Sequence, residues 1–193
     1  MTMKRLAITA FRFLMVMTLL TGVVYVVLIT AAGQLLFPAK SNGSLVMKNG
    51  RVAGSELIGQ NFDSAAYFWS RPSSVFYNAV PSGGSNLGPT SDSLRKVVAC
   101  RRTNFSVMNM VPDTVGVPRE MIFSSASGLD PHISPSAALL QVNRIARARN
   151  LNDKQREQVL SLIKNLTEDR QFHLLGERRI NVFLLNLSLD KIQ

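Results

Sequence analysis

The longest apolar run extends from Phe13 to Phe37, 25 residues without a charge, built mostly of Leu, Val, Met, Thr, Ala and Phe. As a helix rising about 1.5 Å per residue it reaches roughly 37 Å. That exceeds the roughly 30 Å hydrocarbon core of a bilayer, so the run can cross with tilt. A cleaved signal peptide has a shorter apolar run of about 7–15 residues. The only small-residue cleavage site, Ala31-Ala32-Gly33, lies near the far end, and length favours a retained anchor. Three regions follow: a basic N-terminus over 1–12, a transmembrane helix over 13–37, and an α+β domain over 38–193. Lys4, Arg5 and Arg12 precede the span, and Lys40 alone begins its far side. Basic flanks stay on the cytoplasmic side, so the N-terminus is expected inside and the domain outside.

Beyond the span the pattern shortens. Ser44–Met47 and Arg51–Ala53 are β-like runs separated by Asn49-Gly50, the strongest short hairpin signal. Residues 70–91 are dense in Pro, Gly, Ser and Asn but have aromatic neighbours at Tyr67, Phe68, Trp69, Phe76 and Tyr77. A long loop inside a small domain is functional or disordered, and the aromatics favour an ordered, packed one. Ser134 followed by Pro135 opens a helix. Its apolar face is Ala138, Val142, Ile145 and Ala146, with Asn143, Arg144, Arg147 and Asn150 opposite. Asn152 and Gln155 form a capping box before a second helix with the stripe Val159, Leu162, Ile163 and Leu166. After Gly176, the run Ile180–Leu189 reads as a strand.

Composition narrows the chemistry. The chain has 193 residues, one Cys, two His and a formal net charge of +10. Cys100 alone cannot close an intramolecular disulfide, and a lone thiol outside the cytosol is best kept buried. His132 and His173 cannot build a His-rich metal centre, and HExxH is absent, so no metal is expected. Ten less the three charges before the span leaves a surplus of seven on the remainder. In the cytosol that would invite nucleic acid; outside the membrane it suits anionic lipid, a partner subunit or plain solvation.

Candidate chemistry is sparse. There is no GxxxxGK phosphate loop. Ser82-Gly83-Gly84-Ser85-Asn86 offers backbone N–H groups to an anion, or is a tight turn needing positive φ at glycine, the simpler reading. Ser93–Lys96 and Ser161–Lys164 have the SxxK spacing in which a lysine can activate a serine, but KTG is missing. Asp130 and His132 could share a proton, yet they also suit a turn into the Ser134 cap. No catalytic residue is assigned. An anchored Ser-Lys hydrolase and an anchored ligand-sensing module stand as the alternatives.

Several strings, taken in order, resemble one family. They are Asn42-Gly43-Ser44-Leu45, Gly54–Phe62, Tyr67-Phe68, Arg71-Pro72-Ser73, Tyr77-Asn78 and Ser82–Pro89. Ser127–Pro135, Ala146–Arg149, Gly176-Glu177 and Asn186–Asp190 complete the set. With the single N-terminal span, they resemble the C subunit (KdpC) of the bacterial high-affinity potassium-transporting P-type ATPase across nearly the whole chain. Residues 100–123 match least.

The resemblance implies a non-catalytic accessory subunit in the bacterial inner membrane. Its expected partners are a channel-like potassium-translocating subunit, a P-type ATPase subunit and a small hydrophobic subunit. It also implies a role in assembly and, as a catalytic chaperone, in ATP binding, with Ser82, Gly83, Gly84, Ser85 and Asn86 as the nucleotide loop. This chain lacks DKTGT, so it is not the hydrolysing subunit. The expected topology disputes the nucleotide role, because ATP is cytosolic. Arg71, Pro72, Ser73, Tyr77 and Asn78, with the Ser82–Pro89 loop, are the candidate subunit contacts.

Overall fold

A computed structural model describes residues 2–112 and 114–192. The chain divides into two compact units, Met1–Ser55 and Glu56–Gln193.

The first unit is dominated by one apolar helix, Met3–Leu36, the single candidate membrane span among the described residues. It begins as α1 (Met3–Leu19), widens into a π turn at Leu20–Val24 around Gly22, and continues as α2 (Tyr25–Leu36). Thr9 and Thr21 donate their hydroxyls to the carbonyls of Arg5 and Met17. Those hydroxyls are therefore satisfied within the helix, as an apolar surrounding requires. The helix stops where Phe37 precedes Pro38, a position disfavouring helical ψ; Phe37 sits at φ −138 and ψ 56. A short α3 (Pro38–Ser41) leads to β1 (Leu45–Lys48) and β2 (Arg51–Ser55), paired antiparallel. The expected Asn49-Gly50 turn joins them, both residues at positive φ. The hairpin, expected to belong with residues 38–193, groups with the helix.

In the second unit α4 (Asp92–Asn109), α5 (Pro135–Ala148), α6 (Asp153–Asn165) and α7 (Val182–Leu189) accompany a small sheet. The sheet comprises β3 (His132–Ile133), β4 (Thr167–Glu168) and β5 (Arg179–Asn181), antiparallel in the order β3-β5-β4. α5 packs against α4 and α6, and α6 against α7. The core gathers Phe68, Phe105, Ile133, Ala138, Val142, Ile145, Val159, Ile163, Ile180, Leu185 and Leu189. Both expected helix starts hold. The Ser134 hydroxyl accepts from Ala137 N–H. Asn152 and Gln155 exchange both capping-box bonds, at 2.8 and 2.9 Å.

Three expectations are corrected. Ile180–Leu189 is not a strand: β5 ends at Asn181, whose side chain caps α7 by accepting from Leu184 N–H. Arg144, placed on the polar face of α5, is 4% exposed. Cys100, expected to be buried, is exposed on α4.

The aromatic-rich segment before α4 has no regular secondary structure, so side chains supply its backbone partners. The Asn186 amide accepts from Phe68 N–H and donates to Phe68 C=O, at 2.8 and 3.0 Å. Gln141 accepts from Trp69 N–H at 2.7 Å. The Arg144 guanidinium donates to the carbonyls of Ser64, Ala65 and Tyr67, and lies 4.1 Å over the Trp69 ring. Arg149 donates to Ala66 C=O, pairs with Asp190 at 2.9 Å, and stacks on Tyr67. Buried polar groups on α5 and α7 thus hold an irregular segment to the core. The packing expected of the loop from its aromatic neighbours is found at Phe68 and Trp69, whereas Phe76 and most of residues 78–90 are exposed.

Candidate functional site

The two loops singled out from sequence rest on one short segment, Ser125–Pro131. Ser125 N–H donates to Pro72 C=O at 3.1 Å, and Gly83 N–H donates to Ser127 C=O at 2.9 Å. Between them sits Gly128 at φ +70. A Cβ there would lie 2.5 Å from Val75 Cγ2, 3.0 Å from Gly83 O and 3.1 Å from Ser73 Oγ. Only glycine lets both loops close on this strip.

Arg71 anchors the first loop. Its Nη1 donates to Asp130 Oδ2 at 2.6 Å, while Asp130 Oδ1 accepts from His132 N–H at 3.0 Å and lies 3.5 Å from His132 Nδ1. Burial opposes the charge on Asp130, but the bonds from His132 and Arg71 prevail and hold its carboxyl at about 2. In place of a turn into the Ser134 cap, His132 and Ile133 form β3; Asp130 still accepts from His132 N–H, and its carboxylate is committed to Arg71. The pair borders two clefts. One, of about 530 Å³, also has Glu120, Ser134, Glu177 and Arg179 in its wall. The other, of about 590 Å³, includes Leu57, Ile58 and Leu129.

Past Arg71 the loop braces itself. Tyr77 OH donates to Arg71 C=O at 2.6 Å, and Ser73 Oγ accepts from the N–H groups of Val75 and Tyr77. Burial raises the Tyr77 phenol above its usual range, against a hydrogen bond with Ser70 and the charge of Arg101. Asn78 Oδ1 accepts from Val80 N–H. Phe76 and Tyr77 both sit at positive φ, a conformation that costs energy in non-glycine residues. Phe76 is 92% exposed, and Val80, four positions on, is 81% exposed.

The second loop departs from the expected tight turn. Neither Gly83 nor Gly84 has positive φ; the left-handed residue is Asn86, at φ 53. Gly84 lies close to Ala126, where a Cβ would meet the carbonyl at 3.4 Å, while a Cβ on Gly83 would face open space. Ser82, Ser85 and Asn86 are exposed. The segment from Pro72 to Ser91 contains no charged residue. A nucleotide triphosphate there would meet no lysine or arginine within the loop, and Gly83 N–H is already committed to Ser127. That fits a phosphate ligand poorly. Ser93, Lys96, Ser161 and Lys164 lie on exposed turns of α4 and α6. No cluster of metal-ligating side chains exists among the described residues.

A family model described as "K+-transporting ATPase, c chain" matches residues 7–191. A potassium-transporting ATPase KdpC subunit of Methylococcus capsulatus is 50% identical over 188 residues, covering 95% of this chain and 96% of that protein. The chain belongs to the KdpC family. A second KdpC subunit, from Polaromonas naphthalenivorans, is 45% identical over 99% of this chain and 97% of its own length. A third, from Burkholderia orbicola, is 47% identical over 92% of each. The sequence made the loops visible but not Arg144, Gln141 and Asn186, which hold the Ser64–Trp69 segment that leads into them. Polar residues at buried helix positions are the signal that could have found them.

Proposed function

We propose that the chain is a non-catalytic accessory subunit of an ATP-driven potassium-uptake complex. It is anchored by Met3–Leu36, with its α+β domain outside the cytoplasmic membrane. The family and the names of its relatives support the assignment, and the basic residues before the span support the topology. The domain works by contact. It docks on the outer face of a channel-like subunit through Pro72–Ser91 and so stabilises the assembly.

One observation carries this reading: an ordered, uncharged segment that holds Phe76 and Val80 out in solvent. Protein interfaces concentrate aromatic residues and deplete charge at their centres, and such anchors dominate binding. Replacing Phe76 or Val80 with Ser should lower recovery of the partner subunits, on tagged purification from membranes in mild detergent, by roughly tenfold or more. Both side chains are exposed, so the melting temperature of the isolated chain should not move. Gly84→Trp at the Ala126 contact should weaken assembly in the same assay. Full recovery of partners in all three variants would remove these loops from the interface. The competing nucleotide role at Ser82–Asn86 predicts protection of that loop by ATP.

A further inference from the structure

A second exposed tip, separate from the Pro72–Ser91 loops, connects β4 to β5. Gln171 and Leu175 exchange backbone hydrogen bonds at 2.9 Å, closing a turn around Phe172, His173 and Leu174. Phe172 and His173 are left-handed, at φ 53 and 60. Phe172 is 85% exposed, Leu174 81% and Leu175 61%. Two adjacent non-glycine residues held at positive φ are costly, and this strain keeps three large apolar side chains in water.

Two ion pairs close the base of the tip. Arg178 pairs with Asp169 and Arg179 with Glu168, each at 2.9 Å. Arg170 directly precedes the turn, and Glu177 follows it past Gly176.

We infer that Phe172, Leu174 and Leu175 insert into the interfacial layer of the bilayer that the chain's own helix enters. Three features favour lipid over a protein surface. The tip is convex and only a few residues wide, far smaller than the roughly 800 Å² that a stable protein interface takes from each partner. Lipid needs no complementary shape, only exposed apolar residues, and Arg170 stands next to them to meet a headgroup phosphate. The Met3–Leu36 helix also keeps a bilayer covalently within reach, so insertion too weak to hold a free domain becomes intramolecular. The inference rests on that helix spanning a membrane and not on the docking role of Pro72–Ser91.

The test uses the full chain with Phe172→Trp, reconstituted in phosphatidylcholine–phosphatidylglycerol vesicles with brominated acyl chains. The wild type, whose single tryptophan is Trp69, sets the background. Insertion predicts emission shifted to the blue and about twofold quenching beyond that background, as for side chains at the headgroup–acyl boundary. Leu174→Trp provides a second reporter and should behave alike. Quenching no greater than wild type in both variants overturns the inference. So does a tip that becomes shielded only when the partner subunits or a second copy bind, without contact to brominated lipid.

Discussion

Asp130 is the residue through which acid should act on this protein. Its carboxyl is held at about 2, below the ordinary 3.8, because bonds from His132 and Arg71 outweigh the opposing effect of burial. The folded chain therefore takes up this proton less readily than the unfolded chain. The stability so gained is complete above about pH 4 and lost as pH falls toward 2. The pair is a quarter to a third exposed, so screening reduces the gain to on the order of 1 kcal/mol. Melting curves of the detergent-solubilised chain should show wild type above Asp130→Asn near neutrality and converging with it near about pH 2. Parallel curves would mean the Arg71 pair contributes nothing. Sequence proximity made the Asp130–His132 contact legible, whereas Arg71 lies 59 positions away and its pairing was not. Arg144 shows the same blindness. Helical periodicity assigned it to the solvent face because its side chain is charged, yet the carbonyls of Ser64, Ala65 and Tyr67 supply what water would have. Burial accordingly lowers its guanidinium to about 10. A pattern along one helix cannot reveal carbonyls brought in from another part of the chain.

At the scale of elements, what the sequence disclosed was local chemistry. The Asn49-Gly50 hairpin and both helix starts depend on residues within three positions of one another, and all three formed. Ile180–Leu189 failed for a different reason. Its unbroken apolar stretch, Val182–Leu185, is too short to show a period that separates a strand from a buried helix. Asn181 settled it by capping α7, leaving β5 only three residues long. The loops of residues 71–91 lie between these cases: their existence showed in composition, but their support on Ser125–Pro131 did not. Gly128 makes that support testable. Gly128→Ala brings strain from positive φ and collisions with Val75, Ser73 and Gly83 together, at an expected cost of about 1–3 kcal/mol. Amide exchange at Tyr77 and Gly83 should accelerate while that at Ile145 in α5 changes far less. Unchanged protection at Tyr77 and Gly83 would show that the loops do not depend on this glycine.

For the whole molecule, topology decides which chemistry can reach the domain. If the domain faces outward, cytosolic ATP is absent, and the neutral loop from Pro72 to Ser91 acts by contact alone. If it faces inward, a nucleotide role regains its ligand. Cys100 distinguishes the two, because it is the only cysteine and it is exposed on α4. The thiolate is the reacting form, so a maleimide at mildly alkaline pH should label it without denaturant. In cells expressing the chain without its partners, with only the outer membrane permeabilised, a membrane-impermeant maleimide should modify Cys100 fully. Rupturing the inner membrane should add nothing, and Cys100→Ser should remain blank. Labelling that waits for that rupture would place the domain in the cytosol. It would also put the basic N-terminal flank on the outer side, against the rule that retains such flanks inside. The external cap would then have to be abandoned, although family membership would stand.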